Sequence, residues 1–187
     1  MRKLILPLLI LSLLSACKKE TKSVENENTK SDSVATVTEK TVSPEAINLK
    51  EFSVARTAEY LKSKDNDTLY VTNFFATWCG PCMAEIPHFK EKMEELKGQP
   101  VKFTFVDIDA KEDWNTAVKD FAAKNNLQDH IVLLDNSKLN PDFFKNNFEK
   151  WDGGAIPYTI MKKGKKSDET LGSMSKEMLA EKLASFK

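Results

Sequence analysis

The order of hydrophobic and polar positions divides residues 50–187 into a succession of strands and helices. Residues 51–64 carry Phe52, Val54, Ala55, Ala58 and Leu61 at near-helical spacing, and Asp65-Asn66-Asp67 breaks that pattern. Leu69 to Phe75 reads LYVTNFF, an almost continuous β-prone run. Apolar residues at both parities predict a central strand covered on both faces. Ile86, Phe89, Met93 and Leu96 then recur in steps of three and four, an amphipathic helix ended by Gly98. Val101 to Ile108 predicts a second buried strand. Trp114, Val118, Phe121 and Ala122 mark a helix, and Ile131 to Leu134 a short strand. Asn140-Pro141 opens a further helix with Phe143, Phe144 and Phe148 on its apolar side, and Gly153-Gly154 closes that unit. Ile156 to Met161 reads as a strand, Lys163-Gly164-Lys165 as a turn, and Asp168 to Gly172 as its hairpin partner. Met178, Leu179, Leu183 and Phe186 predict a final amphipathic helix. Alternation of this kind implies an α/β domain: a parallel sheet with helices on both faces and an antiparallel edge.

The N-terminal region follows a different pattern. Arg2 and Lys3 precede an apolar run from Leu4 to Leu14, interrupted by Pro7 and Ser12. The run is shorter than the roughly 20 apolar residues that span a bilayer, and it reads as a signal peptide. Leu14-Ser15-Ala16-Cys17 resembles a bacterial lipobox, which implies cleavage after residue 16 and acylation of Cys17. Two or more acyl chains, at ~0.8 kcal/mol per buried CH₂, give stable anchoring to a lipid bilayer. Residues 18–45 are rich in Lys, Glu, Thr, Ser and Asn and hold no aromatic residue, so they cannot bury enough apolar area to offset ordering entropy. They read as a tether reaching roughly 30 Å by the square-root rule for flexible chains. The division expected is therefore a signal peptide at 1–16, a lipidated tether at 17–45 and one domain at 46–187. By resemblance to lipoprotein sorting signals, Lys18 after the cysteine favours the outer membrane, with the domain facing the periplasm.

Charge adds an exclusion. The 187 residues hold 28 basic and 28 acidic side chains. Loss of the leader removes Arg2 and Lys3 and leaves a net of −2, too small a field to point to nucleic acid. Three cysteines, Cys17, Cys79 and Cys82, are too few to staple a small fold, so a hydrophobic core must hold it.

The candidate chemistry lies in Ala76-Thr77-Trp78-Cys79-Gly80-Pro81-Cys82, where the buried strand gives way to the helix. A thiolate is the reactive form of cysteine, and free N–H groups at a helix start stabilise its charge. Cys82 lies three residues on, about one turn away, so a disulfide with Cys79 is sterically feasible. Cys79 would attack a substrate disulfide, and Cys82 would resolve the mixed disulfide; the reverse sequence oxidises a substrate. The competing use of such a pair is half a zinc site. Zinc needs four ligands, and His88 and His130 lack paired-ligand spacing, so neither a metal nor another cofactor is expected.

With these residues in place, the chain resembles the thioredoxin superfamily over about residues 50–187, and especially periplasmic reductases of the TlpA/ResA group. The resemblance rests on Trp78-Cys79-Gly80-Pro81-Cys82, on Pro87 five residues after Cys82, and on Ile156-Pro157 at a strand start. It implies a thioredoxin fold, a central mixed sheet with helices on both faces. To this are added an N-terminal extension and an inserted strand-helix unit; the segment from Asn136 to Gly154 is longer than a simple connector. Phe143, Phe144, Phe148 and Trp151 of that segment are expected in the core. The resemblance further implies a cis Pro157 facing the cysteines and a substrate-binding surface of Trp78, Gly80, Pro81, Ile156 and Pro157. Asn73 stands where thioredoxins carry a buried Asp. Glu85, three residues after Cys82, matches an acid of the TlpA/ResA group and is the candidate proton acceptor for Cys82, the alternative being a solvated surface Glu. The implied activity is exchange with protein disulfides, in the direction of reduction, supplied by a membrane-bound thiol electron donor. Cytochrome c maturation is one candidate pathway. Two other readings are a thiol peroxidase, disfavoured because Ala76 occupies the position of its Thr, and a non-enzymatic partner-binding lipoprotein.

Overall fold

Strand β2 (Leu69–Phe75) lies inside the sheet, and its side chains are buried on both faces. The computed structural model describes residues 47–187, so the leader, Cys17 and the tether lie outside the described residues. β2 pairs in parallel with β3 (Val101–Asp107), β3 with β4 (Ile131–Leu134), and β4 with β1 (Lys50–Phe52). On its other side β2 pairs antiparallel with β5 (Tyr158–Lys163), which pairs antiparallel with β6 (Lys166–Leu171). The result is a six-stranded mixed sheet in the order β1-β4-β3-β2-β5-β6.

Helices cover both faces, as the alternation of elements predicts. One layer holds α2 (Gly80–Glu95), α3 (Lys119–Asn125) and α5 (Lys176–Ala184). It buries Ile86, Phe89, Ala122, Leu179 and Leu183 against Val71, Phe75, Phe103 and Phe105. The other layer holds α1 (Val54–Leu61) and α4 (Pro141–Asn147), packed with Phe74, Val106, Val132 and Ile160.

Helix boundaries follow from local chemistry. The side chains of Ser53, Asn140 and Ser175 each accept a backbone N–H three residues on, the usual way of satisfying a helix's first free donors. The C-terminal carbonyls of α1 are met by lysines: Lys64 Nζ donates to Tyr60 O at 2.7 Å, and Lys162 Nζ to Leu61 O at 2.9 Å. Pro87 sits inside α2, where it removes one helical N–H.

Some expected boundaries move. β1 precedes α1 in a stretch read as helical from Phe52. Its three residues bury only Phe52, and the strand exists through pairing with β4, 80 or so residues away, which leaves no local signal. A 3-10 turn (Lys111–Asp113) and a π-helical turn (Trp114–Val118) lead into α3. The wider turn accommodates Trp114 and Val118, both buried. β5 begins at Tyr158 rather than Ile156, because Pro157 brings no N–H to the ladder. β6 begins at Lys166, earlier than its polar sequence indicates. Met178 is 44% exposed and does not join Leu179 and Leu183 on the buried face of α5.

Three of the four aromatic residues expected in the core from the segment 136–154 are buried there. Phe143, Phe148 and Trp151 are buried and Phe144 is half-buried. With Phe74 and Tyr158 they form an aromatic cluster in which Trp151 stacks on Tyr158 at 4.6 Å and Phe148 meets Phe74 edge-on at 5.5 Å.

Candidate active site

The site is built where β2 and β3 end. Ala76 is fully buried, and the next residue is clamped to the neighbouring strand end. Thr77 donates its backbone N–H to Asp109 Oδ2 at 2.7 Å and its hydroxyl to Asp109 Oδ1 at 2.8 Å. Asp109 in turn donates its N–H to Asp107 Oδ1 at 3.3 Å. Burial, and then the adjacent Asp109, push the Asp107 carboxyl up to about 9, so it is neutral near pH 7. The two acids therefore sit together without two buried charges, and they fix the turn that presents Trp78 and Cys79.

Cys79 is the N-cap residue of α2. Its Sγ lies 3.2 Å from the Cys82 N–H, which donates to it. The two cysteines form a disulfide with their Cα atoms 5.3 Å apart. The sulfurs are not equivalent. Cys82 is wholly buried, while Cys79 keeps 5% exposure at the floor of a groove of about 390 Å³. Trp78, Gly80, Pro81 and Ile108 line one side of that groove, and Gly153, Gly154, Ala155 and Ile156 the other. No acidic or basic side chain lines it among the described residues. Trp78 stands 69% exposed at its rim. The Ile156–Pro157 bond is cis, and Ile156 O approaches Cys79 Sγ to 3.8 Å. Pro157 itself is buried beneath the wall rather than lining the groove.

Behind the disulfide, Glu85 is 1% exposed, which excludes a solvated surface position. Asn73 Nδ2 donates to Glu85 Oε1 at 2.8 Å and to Thr159 Oγ1 at 2.9 Å, and Met174 N donates to Glu85 Oε2 at 2.9 Å. Burial raises the carboxyl to about 7, and the N–H donors from Met174 and Asn73 hold it from rising further. Asn73, on the neighbouring strand, thus organises the glutamate one turn beyond Cys82. His88 lies near Met174 O and His130 near Phe103 O, both remote from a shared ligand geometry.

The sign of the linkage at Glu85 is fixed by its direction of shift. A carboxyl raised from 4.5 to about 7 on folding keeps its proton more tightly in the folded chain. Its contribution is complete below 4.5 and is lost as pH rises through 7. Glu85→Gln removes the titration. The variant's stability relative to wild type should therefore rise by up to about 3 kcal/mol between pH 4.5 and 8. Thermal unfolding of both proteins across that range checks this. Asp107 contributes equally to both and cancels, so a flat difference would refute the assignment.

Several of these residues were not legible beforehand. Asp107, Asp109, Ile108, Thr159 and Met174 carry no motif. Only an acidic residue ending a buried strand, as in VKFTFVD, offered a local signal for Asp107.

The fold and the cysteine pair at the start of α2 define a thioredoxin-like domain, and the thioredoxin family model matches residues 51–123. The chain is similar to the thiol-disulfide oxidoreductase ResA of Bacillus cereus. The two are 28% identical over 109 residues, which is 57% of each chain. It is also similar to the thioredoxin-like protein YneN of Bacillus subtilis, at 29% identity over 59% of this chain and 61% of the relative. The match thus spans little more than half the length of these curated relatives. Among solved structures, StoA from Bacillus subtilis aligns over 63% of this chain and 83% of its own, at 26% identity and a TM-score of 0.47.

Proposed function

We propose that this chain is a thiol–disulfide oxidoreductase that exchanges its Cys79–Cys82 disulfide with protein disulfides. The observation that carries the reading is the inequality of the two sulfurs. One is reachable at the floor of a groove and already receives a helix N-terminal N–H, and the other is sealed one turn behind it. On reduction, the Cys79 thiolate occupies a position where the Cys82 N–H and the helix dipole favour negative charge. Cys79 attacks a substrate disulfide and expels one substrate thiolate. Cys82 then loses its proton and attacks Cys79 Sγ, releasing the second substrate sulfur and reforming the internal disulfide. Glu85, titrating near neutrality one turn away, accepts the proton from Cys82. Trp78, Gly80, Pro81 and Ile156 contact the substrate, and cis Pro157 shapes the wall from beneath.

The Gly80-Pro81 pair between the cysteines resembles reducing thioredoxins and favours reduction, with electrons delivered by a membrane-bound thiol donor. The leader and Cys17 support an envelope location: a signal peptide at 1–16, a lipidated tether at 17–45, and the domain at 46–187 held at the outer membrane facing the periplasm. Cytochrome c maturation is one pathway in which such a reductase would act.

The test is substrate trapping. The full chain carrying Cys82→Ser, reduced and then exposed to oxidised envelope extract, should accumulate mixed disulfides on Cys79 that dithiothreitol releases. Adducts confined to Cys17, or equal adducts in the Cys79→Ser Cys82→Ser chain, would refute the proposal.

A further inference from the structure

The groove wall opposite Cys79 is held from behind by the inserted segment. Trp151 Nε1 donates to Ala155 O at 2.8 Å, across the loop that makes the wall. Asp152 Oδ1 accepts the Gly154 N–H at 2.9 Å and tightens the same loop. Gly153 has φ +88° and lies directly under the Phe144 ring, where a Cβ would come within 2.4 Å of a ring carbon. Only glycine fits, on both counts. Trp151 is itself enclosed by four rings. It stacks on Tyr158, packs on Phe74 at 4.7 Å, and meets Phe144 and Phe148 at 5.0 Å. The chain from Gly153 to Ile156 therefore has a rigid aromatic backing on one side and the redox sulfur on the other.

We infer that Trp151 and Phe144 are positioning residues that set the distance between this wall and Cys79, and so set how well an extended substrate backbone docks. The inference rests on the proposed exchange activity. The reason is geometric. With the Ala155 carbonyl turned inward to the indole N–H, the loop's outward edge is fixed and the Ile156 carbonyl is kept near Cys79. Losing the indole N–H frees Ala155 O to rotate, and the loop then samples positions that do not match a bound strand. A substrate large enough to lie along the wall senses this. A small disulfide that meets only Cys79 does not.

The test compares two substrates. In dithiothreitol-driven turnover of insulin, Trp151→Phe should raise KM about fivefold, the effect of one hydrogen bond, and leave kcat within about twofold. The second-order rate constant of the reduced chain with hydroxyethyl disulfide should not change. Phe144→Leu, at a half-buried position, carries the same test should Trp151→Phe fail to fold. An unchanged insulin KM, or equal losses with both substrates, overturns the inference. A wild-type chain that does not react with hydroxyethyl disulfide overturns the exchange activity instead, so the two failures are distinguishable.

Discussion

Cys79→Ser should lower the rate of disulfide exchange by more than about 10³-fold, because a serine hydroxyl is not ionised near neutral pH and forms no mixed disulfide. The variant also loses the Cys79–Cys82 bond. That bond closes a very short loop, so by the chain-entropy relation its loss costs about 2 kcal/mol. The domain should remain folded with its aromatic and sheet core intact, and circular dichroism should match that of the wild type. Stopped-flow measurement of the reduced chain with a disulfide substrate gives the rate. Retention of more than a tenth of the wild-type rate would place the reactive group elsewhere, at Cys82 or Cys17, the two other cysteines in the sequence.

The largest loss of stability is expected for Phe74→Ala. Phe74 is fully buried on the α1–α4 side of β2, between Val106 of β3 and Tyr158 of β5 in the sheet. Phe148, Trp151 and Tyr158 surround it at 5.5, 4.7 and 6.4 Å. These neighbours are stiff rings fixed to three different elements, so they relax poorly into the space left behind. The expected cost is about 3–5 kcal/mol, the range for deleting a buried aromatic ring. Urea unfolding of the two proteins measures it, and a cost below about 1.5 kcal/mol would mean that the cluster repacks freely.

The aromatic cluster also shows how far a sequence reading reaches. The FF and F pattern after Asn140-Pro141 marks a buried helix face, and Phe143, Phe148 and Trp151 are buried. Nothing in that segment says that its far end holds the wall facing Cys79. That follows from β5 pairing antiparallel with β2, which brings Ile156 to within 3.8 Å of a sulfur 77 residues earlier in the chain. Glu85 gives the same lesson. Its spacing from Cys82 selects it, yet its environment comes from Asn73 on β2 and from Met174 N, 89 residues on. A helical position with Glu reads as solvent-facing by type, and burial by distant elements reverses that reading.

From α1 onward the sequence by itself determined the order and kind of the main elements, because periods of two and of three to four are written within a few residues. It also determined the placement of the cysteine pair at a helix start, because the motif sits at the junction of the two periods. The tertiary structure alone decided the strand order, the pairing of short β1 with β4, the burial of Glu85 and Asp107, and the wall opposite Cys79. Each of these depends on side chains separated by tens of residues meeting as the sheet closes, and that meeting has no counterpart in local spacing.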